Sequence, residues 1–227
     1  MVSLKIFRTP VKVKLTVLIP IVALWIGITW IFLFRNPERG FWQCMLIGFM
    51  SVVLLLIADF GHAIAHIFSA RYAKAPIDEI SIIGDMPRTL YWDNDVSPNV
   101  HRMRAMGGPI FSALGLLLSV AIYGVVSGNI IARELAVISA VGHGFIFIGS
   151  LLPLPMVDGG TILKWTIVAS GKTALEADKI VKRVNMVIGI AGLIIGVVLL
   201  SKQLWIPGVA LLGMGIICIV ISLKSAK

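Results

Sequence analysis

The sequence predicts an all-α polytopic membrane protein, a six-helix transmembrane bundle with a small cytoplasmic β-hairpin. Three observations carry this reading. The 227 residues are 58% hydrophobic and 14% charged, with mean hydropathy +0.98, where a soluble domain is roughly 45–50% apolar and about 25% charged. Six apolar runs fall at about 15–34, 41–70, 107–127, 134–157, 184–200 and 204–223, and a helix of about 20 residues crosses a bilayer. The short alternating segments of a transmembrane barrel do not occur. In lipid every backbone polar group must be paired internally, so the runs read as helices.

The first run follows "MVSLKIFRTPVKVK". It is longer than a signal-peptide core and no small-residue cleavage site follows it, so it reads as a retained first helix. Basic residues set the orientation. Lys and Arg number 4, 5, 5 and 2 in the N-terminal segment, the 71–106 loop, the 158–183 segment and the C-terminus, against 2, 1 and 1 in 35–40, 128–133 and 201–203. The positive-inside rule then places both termini and the 71–106 loop in the cytoplasm. The net charge of +9 follows from that bias and from attraction to membrane lipid, and calls for no nucleic acid. Cys44 and Cys218 lie inside apolar runs and read as small core residues.

The longest polar segment is 71–106. Within it "PIDEISIIGDMPRTLYW" reads as a strand over about 77–83, a turn at Gly84–Pro87 and a strand over about 88–92. "DNDVSPNVHRMR" reads as a polar connection, and "AMGGPIFSALGLLL" opens the third span with small residues that let helices approach.

The chemistry concentrates in "ADFGHAIAHIFSAR", residues 58–71. His62 and His66 stand at i and i+4, on one helix face, and Asp59 shares that face one turn deeper. Imidazoles at this spacing can hold one metal ion, or can hydrogen-bond neighbouring helices. Intramembrane ionisable groups are functional candidates by default. The candidate third ligand is Asp158 in "SLLPLPMVDGG", where two prolines forbid plain helix; such backbone is tolerated at membrane depth where it lines a cavity or is buried in protein. His66 lies five residues before Arg71 and Asp158 six before Lys164, so each is roughly 8–9 Å from its first cytoplasmic cation. Two histidines and a carboxylate leave one position of a tetrahedral zinc open.

"GHAIAH", "GGPIFS" and "SLLPLPMVDGG", in this order on successive spans, resemble the site-2 protease family of intramembrane zinc metalloproteases. The resemblance covers about residues 41–170 of a single transmembrane metalloprotease-like domain, 1–227. It implies zinc held by His62, His66 and Asp158, with Gly108, Pro109, Gly159, Ser112 and Ser150 in supporting positions, and cleavage of a transmembrane protein substrate within the bilayer. It also implies that strand 77–92 pairs with unwound substrate by edge addition.

The sequence departs from the family pattern at three positions. The HExxH glutamate is Ala63, and two asparagines are Ser112 and Ser150. The serines still hydrogen-bond. Ala63 cannot take a proton, and a positioned general base contributes typically about 10²–10⁴-fold. The chain as written is therefore expected to hydrolyse peptides slowly or not at all. Three origins stand: a lineage that kept the metal and lost proteolysis, replacement of the base by Asp59 (which could equally orient His62), or an introduced alanine. The alternative function is a non-catalytic pseudoprotease that binds membrane-protein partners. Haem ligation ranks lowest, because i, i+4 histidines point the same way.

Other candidates read as structural. His143 is fifteen residues before Asp158, about 22 Å along a helix, and reads as a helix–helix hydrogen bond. His101 reads as a solvated residue. Asp78, Glu79, Asp85, Asp93 and Asp95 read as a solvated surface. Trp25, Trp30, Trp42, Trp165 and Trp205 read mostly as interfacial anchors.

Overall fold

A computed structural model of the chain describes residues 1–83, 87–155 and 157–224. Its helices are α1 (Leu18–Arg35, entered through a 3₁₀ turn at Leu15–Val17), α2 (Phe41–Tyr72), α3 (Pro98–Val125), α4 (Ile130–Ser150), α5 (Asp158–Ala169), α6 (Ala174–Ser201) and α7 (Trp205–Lys224). All but α5 are long and apolar enough to cross a membrane, so the six expected spans are present. Strands β1 (Val2–Ile6), β2 (Thr9–Val13), β3 (Glu79–Ile82) and β4 (Arg88–Leu90) form one sheet in the order β1-β2-β3-β4.

Four expectations need correction. The β3–β4 hairpin is antiparallel as expected, but it is half of a four-stranded sheet. The N-terminal "VSLKI" and "TPVKV" supply the other hairpin, and β2 runs parallel to β3. β3 is therefore paired on both sides, and the free edges belong to β1 and β4. Second, α3 starts at Pro98, inside the stretch read as a connection. Ser97 accepts backbone bonds from Val100 and His101, and a serine followed by proline at the first helical position is a helix start. Third, α4 stops at Ser150, seven residues short of the expected end. Pro153 and Pro155 lack the N–H a helix needs and push the residues before them towards extended backbone. Fourth, the 158–183 segment contains α5. The expected turn at Gly84–Pro87 lies mostly outside the described residues.

The chain divides into two compact units, 1–96 with 103–149, and 97–102 with 150–227. In the first, the sheet packs on the end of α2. Val11, Ile77, Ile80 and Ile82 from the sheet side are buried with Ile67 and Ala70 of α2. A second cluster joins Phe32 of α1, Cys44 and Ile47 of α2, and Ile131, Leu135 and Ile138 of α4. Arg39, between α1 and α2, donates to both carboxylate oxygens of Glu134 at 2.7 and 3.0 Å. That hydrogen bond to the carboxylate pushes the Arg39 guanidinium up from its ordinary value. Trp25 donates from Nε1 to the Met45 carbonyl at 2.9 Å, so it joins α1 to α2 and is more than an interfacial anchor.

In the second unit a capping box, Thr173 with Glu176, starts α6. α6 and α7 pack as a hairpin. Asn185, fully buried, donates from Nδ2 to the Cys218 carbonyl at 2.8 Å and to Ser222 Oγ at 2.7 Å. In lipid no hydrophobic effect separates apolar helices from their solvent, so contacts like these hold the pair. Asn185→Ala is expected to weaken the α6–α7 hairpin by about 0.6–1.7 kcal/mol. Thermal unfolding in detergent would register this as a lower midpoint; an unchanged midpoint would show that the amide contributes nothing.

Candidate metal centre

α2 carries His62 and His66 on one face, as i and i+4 require. Their Nε2 atoms are 3.3 Å apart. Two nitrogens on one tetrahedral zinc, each at about 2.0–2.1 Å, stand about 3.3–3.4 Å apart. Both Nδ1 atoms are engaged on the far side of the rings. His66 Nδ1 lies 2.9 Å from the Arg104 carbonyl. A carbonyl only accepts, so Nδ1 carries the proton and Nε2 keeps the lone pair, the tautomer a metal ligand needs. His62 Nδ1 lies 3.0 Å from Ser112 Oγ on α3. Ser112 is fully buried, and its hydroxyl can serve the same orienting role as a larger amide.

α3 crosses close to this pair because it presents glycine there. A Cβ built on Gly108 would collide with Nε2 of both histidines, and one on Gly107 would collide with Ser69 and the Ala65 carbonyl. The space over the two Nε2 atoms is thus the space a side chain at 108 would fill. Pro109 follows inside the helix. It gives no N–H to the carbonyl four residues back, that of Ala105.

The Arg104 carbonyl also accepts from Ser69 Oγ at 2.9 Å. Its buried guanidinium donates from Nε to the Ala75 carbonyl at 2.9 Å and sits 4.2 Å over the Tyr91 ring. One residue therefore orients His66 through its backbone and ties the segments after α2 and β4 through its side chain. Sequence reasoning counted Arg104 only as a loop cation. Nothing in its neighbours marks it, because the decisive contact is made by its carbonyl.

Asp158 opens α5, in the first turn of the helix. The unwound segment before it folds back on that turn: a Cβ on Gly159 would meet the Leu151 carbonyl, and one on Gly160 the Leu154 carbonyl. "DGG" is thus the sequence that this reversal permits. Asp59 lies one turn before His62 on the same helix. The two imidazoles, their Nε2 separation and the cleft over Gly108 suit zinc, which takes such nitrogens at about this spacing.

Ala63 is buried at 5% exposure, directly after His62. Ser150, also buried, is the last residue of α4. His143 packs its ring on Gly115 of α3 and stands 5.6 Å from Phe111. Its role is helix packing, although the expected hydrogen bond is not seen at Nδ1, which has no partner among the described residues. His101 is buried and stacks on Trp165, centroids 3.7 Å apart and rings 4° from parallel. It is not the solvated residue expected, and Trp165 is a stacking partner in addition to any interfacial role. The acidic loop residues are satisfied locally: Glu79 pairs with Lys12 at 2.6 Å, Asp78 accepts from the Trp92 amide and Asp93 from the Asp95 amide. Asp85 lies outside the described residues.

No family model matches the chain, and no curated protein matches it. Among solved structures it is similar to the site-2 protease from Methanocaldococcus jannaschii, with TM-score 0.56 over 100% of this chain and 95% of that one, at 18% identity. The likeness is one of fold: this is a multi-pass helical membrane protein with a site-2-protease-like scaffold.

Ser112→Ala leaves His62 Nδ1 without this partner in a buried place. The variant is expected to lose about 1–3 kcal/mol of stability, and the ring ¹⁵N shifts of His62 are expected to report mixed tautomers. A single unchanged tautomer would show that Ser112 does not orient the ring.

Proposed function

We propose that the chain is a site-2-protease-like membrane scaffold that holds one zinc ion through His62, His66 and Asp158 and receives transmembrane segments of other proteins. The observation that carries this reading is the 3.3 Å separation of the His62 and His66 Nε2 atoms, joined to the tautomer that the Arg104 carbonyl imposes on His66; Asp158 enters as the carboxylate that the sequence pattern offers. Bound zinc would supply a Lewis acid that polarises a peptide carbonyl and acidifies water.

The chain's own residues supply the rest. The Arg104 carbonyl and Ser112 aim the two imidazoles. Asp158 adds negative charge at the start of α5. Gly108 keeps the approach to the Nε2 atoms open. What the position after His62 does not supply is a group to move protons. Water attacking an amide must lose a proton, and the departing amine must gain one. The Ala63 methyl does neither, and Asp59 stands a helical turn away on α2. This favours a scaffold with impaired proteolysis. Ala63 equally supports the second reading, a pseudoprotease that binds membrane-protein partners without cutting them. The bias of basic residues supports a cytoplasmic placement of both termini and of the metal-site end of α2.

Purified protein is expected to contain about one zinc per chain. Asp158→Ala and Gly108→Val should each abolish it, the second by filling the space over the imidazoles. A metal-free protein that also fails to take up added zinc would overturn the site. With zinc present, Ala63→Glu is expected to raise cleavage of a transmembrane test substrate by about 10²–10⁴-fold. Zinc-replete Ala63→Glu protein with no gain would point to the pseudoprotease reading.

A further inference from the structure

A cationic pocket lies at the C-terminal end of α2. A pocket of about 550 Å³ is lined by Phe7, Arg8, Arg71, Lys74 and Pro76. Three of its five lining residues are cations and none is acidic. All three cations are exposed, and among the described residues none makes an ion pair.

The backbone around the pocket is unusual as well. Among the described residues four non-glycine residues have positive φ, and three of them line it: Phe7 at 46°, Arg8 at 62° and Lys74 at 56°. Phe7 and Arg8 are the two-residue turn between β1 and β2, where asparagine or glycine is the usual choice. Left-handed backbone at bulky residues costs energy and collects at binding sites. Here it turns two cations and a phenyl ring towards the same space.

The surroundings identify the ligand class. Arg71 sits in the last turn of an apolar helix long enough to span. Phe7 stacks edge-on against Phe68 of that helix, centroids 4.9 Å apart, and both rings stay about half exposed, at 53% and 51%. Tyr72 beside them is 80% exposed. An apolar aromatic ledge one helical turn from a cluster of unpaired cations matches the junction between acyl chains and headgroups.

We propose that Arg8, Arg71 and Lys74 form a binding site for the phosphate headgroup of an anionic phospholipid, with the lipid's acyl chains lying against Phe7 and Phe68. A soluble phosphate could meet the cations but would leave the ring ledge uncovered.

The test uses the full chain in neutral detergent, titrated with phosphatidylglycerol or phosphatidylcholine and read by native mass spectrometry. Preference for phosphatidylglycerol is expected to fall by about a hundredfold when Arg8, Arg71 and Lys74 are all changed to Gln, since each cation near an anionic headgroup contributes roughly a fivefold factor. Lys74→Gln alone should give about one such factor and keeps the test valid should the triple variant fold poorly. A charge-matched control, Lys172→Gln with Lys179→Gln and Arg183→Gln, should keep the preference. Excess inorganic phosphate should leave lipid binding intact. An unchanged preference in the pocket variants, an equal loss in the control, or full displacement by inorganic phosphate would each overturn the proposal.

Discussion

The hydrogen bond from His66 Nδ1 to the Arg104 carbonyl is the contact on which the site's arrangement depends. It joins α2 to α3 at the level of the histidine pair, at 2.9 Å. It also selects one of two imidazole tautomers, and a ring flipped the other way would present a proton where a metal needs a lone pair. The carbonyl can serve this role because of its local sequence. Gly107 and Gly108 let α3 approach α2 closely enough for the carbonyl to reach the ring. The Arg104 side chain then reaches the Ala75 carbonyl and the Tyr91 ring. The position of the β3–β4 segment is thereby tied to the residue that orients His66.

A bilayer makes such arrangements costly to build. Polar backbone and imidazole rings find no water in the hydrocarbon, so each must be answered within the protein. The ring nitrogens are answered by a carbonyl and a hydroxyl, and the unwound segment before Asp158 is answered by its own turns. Leu154 donates to Leu152 at 2.8 Å and Val157 to Leu154 at 3.1 Å. The glycines of "DGG" are required because those same carbonyls press on the first turn of α5. A polar site is thus assembled from small residues and proline, the residue types that a helix otherwise avoids.

The spans, the shared face of the histidine pair and the broken helix before Asp158 were legible because each leaves a periodic or compositional mark. Apolar runs show up in composition, i, i+4 spacing is direct, and "PLPMVDGG" announces broken helix. The N-terminal hairpin was missed for a physical reason. Its turn is Phe7–Arg8, not Asn-Gly, and β2 finds its partner β3 across two membrane-length helices, a pairing with no local signature. The role of His101 was missed because stacking on Trp165 is a tertiary contact between residues 64 apart in sequence. Arg104 was misread because its carbonyl acts, and every residue has a carbonyl.

On the proposed reading, catalysis turns on Ala63. The surrounding geometry does not look like a site in decay. Both imidazoles keep their orienting partners, the glycine cleft stays open, and Ser112 meets His62 at hydrogen-bonding distance. In a membrane an aligned pair of histidines carries a desolvation cost. A carbonyl and a hydroxyl at the Nδ1 atoms offset part of it. The two Nε2 atoms, 3.3 Å apart, face the space over Gly108. A metal held there would close them into one centre, and with a methyl at Ala63 such a centre would bind a carbonyl without the proton transfers needed to cut an amide.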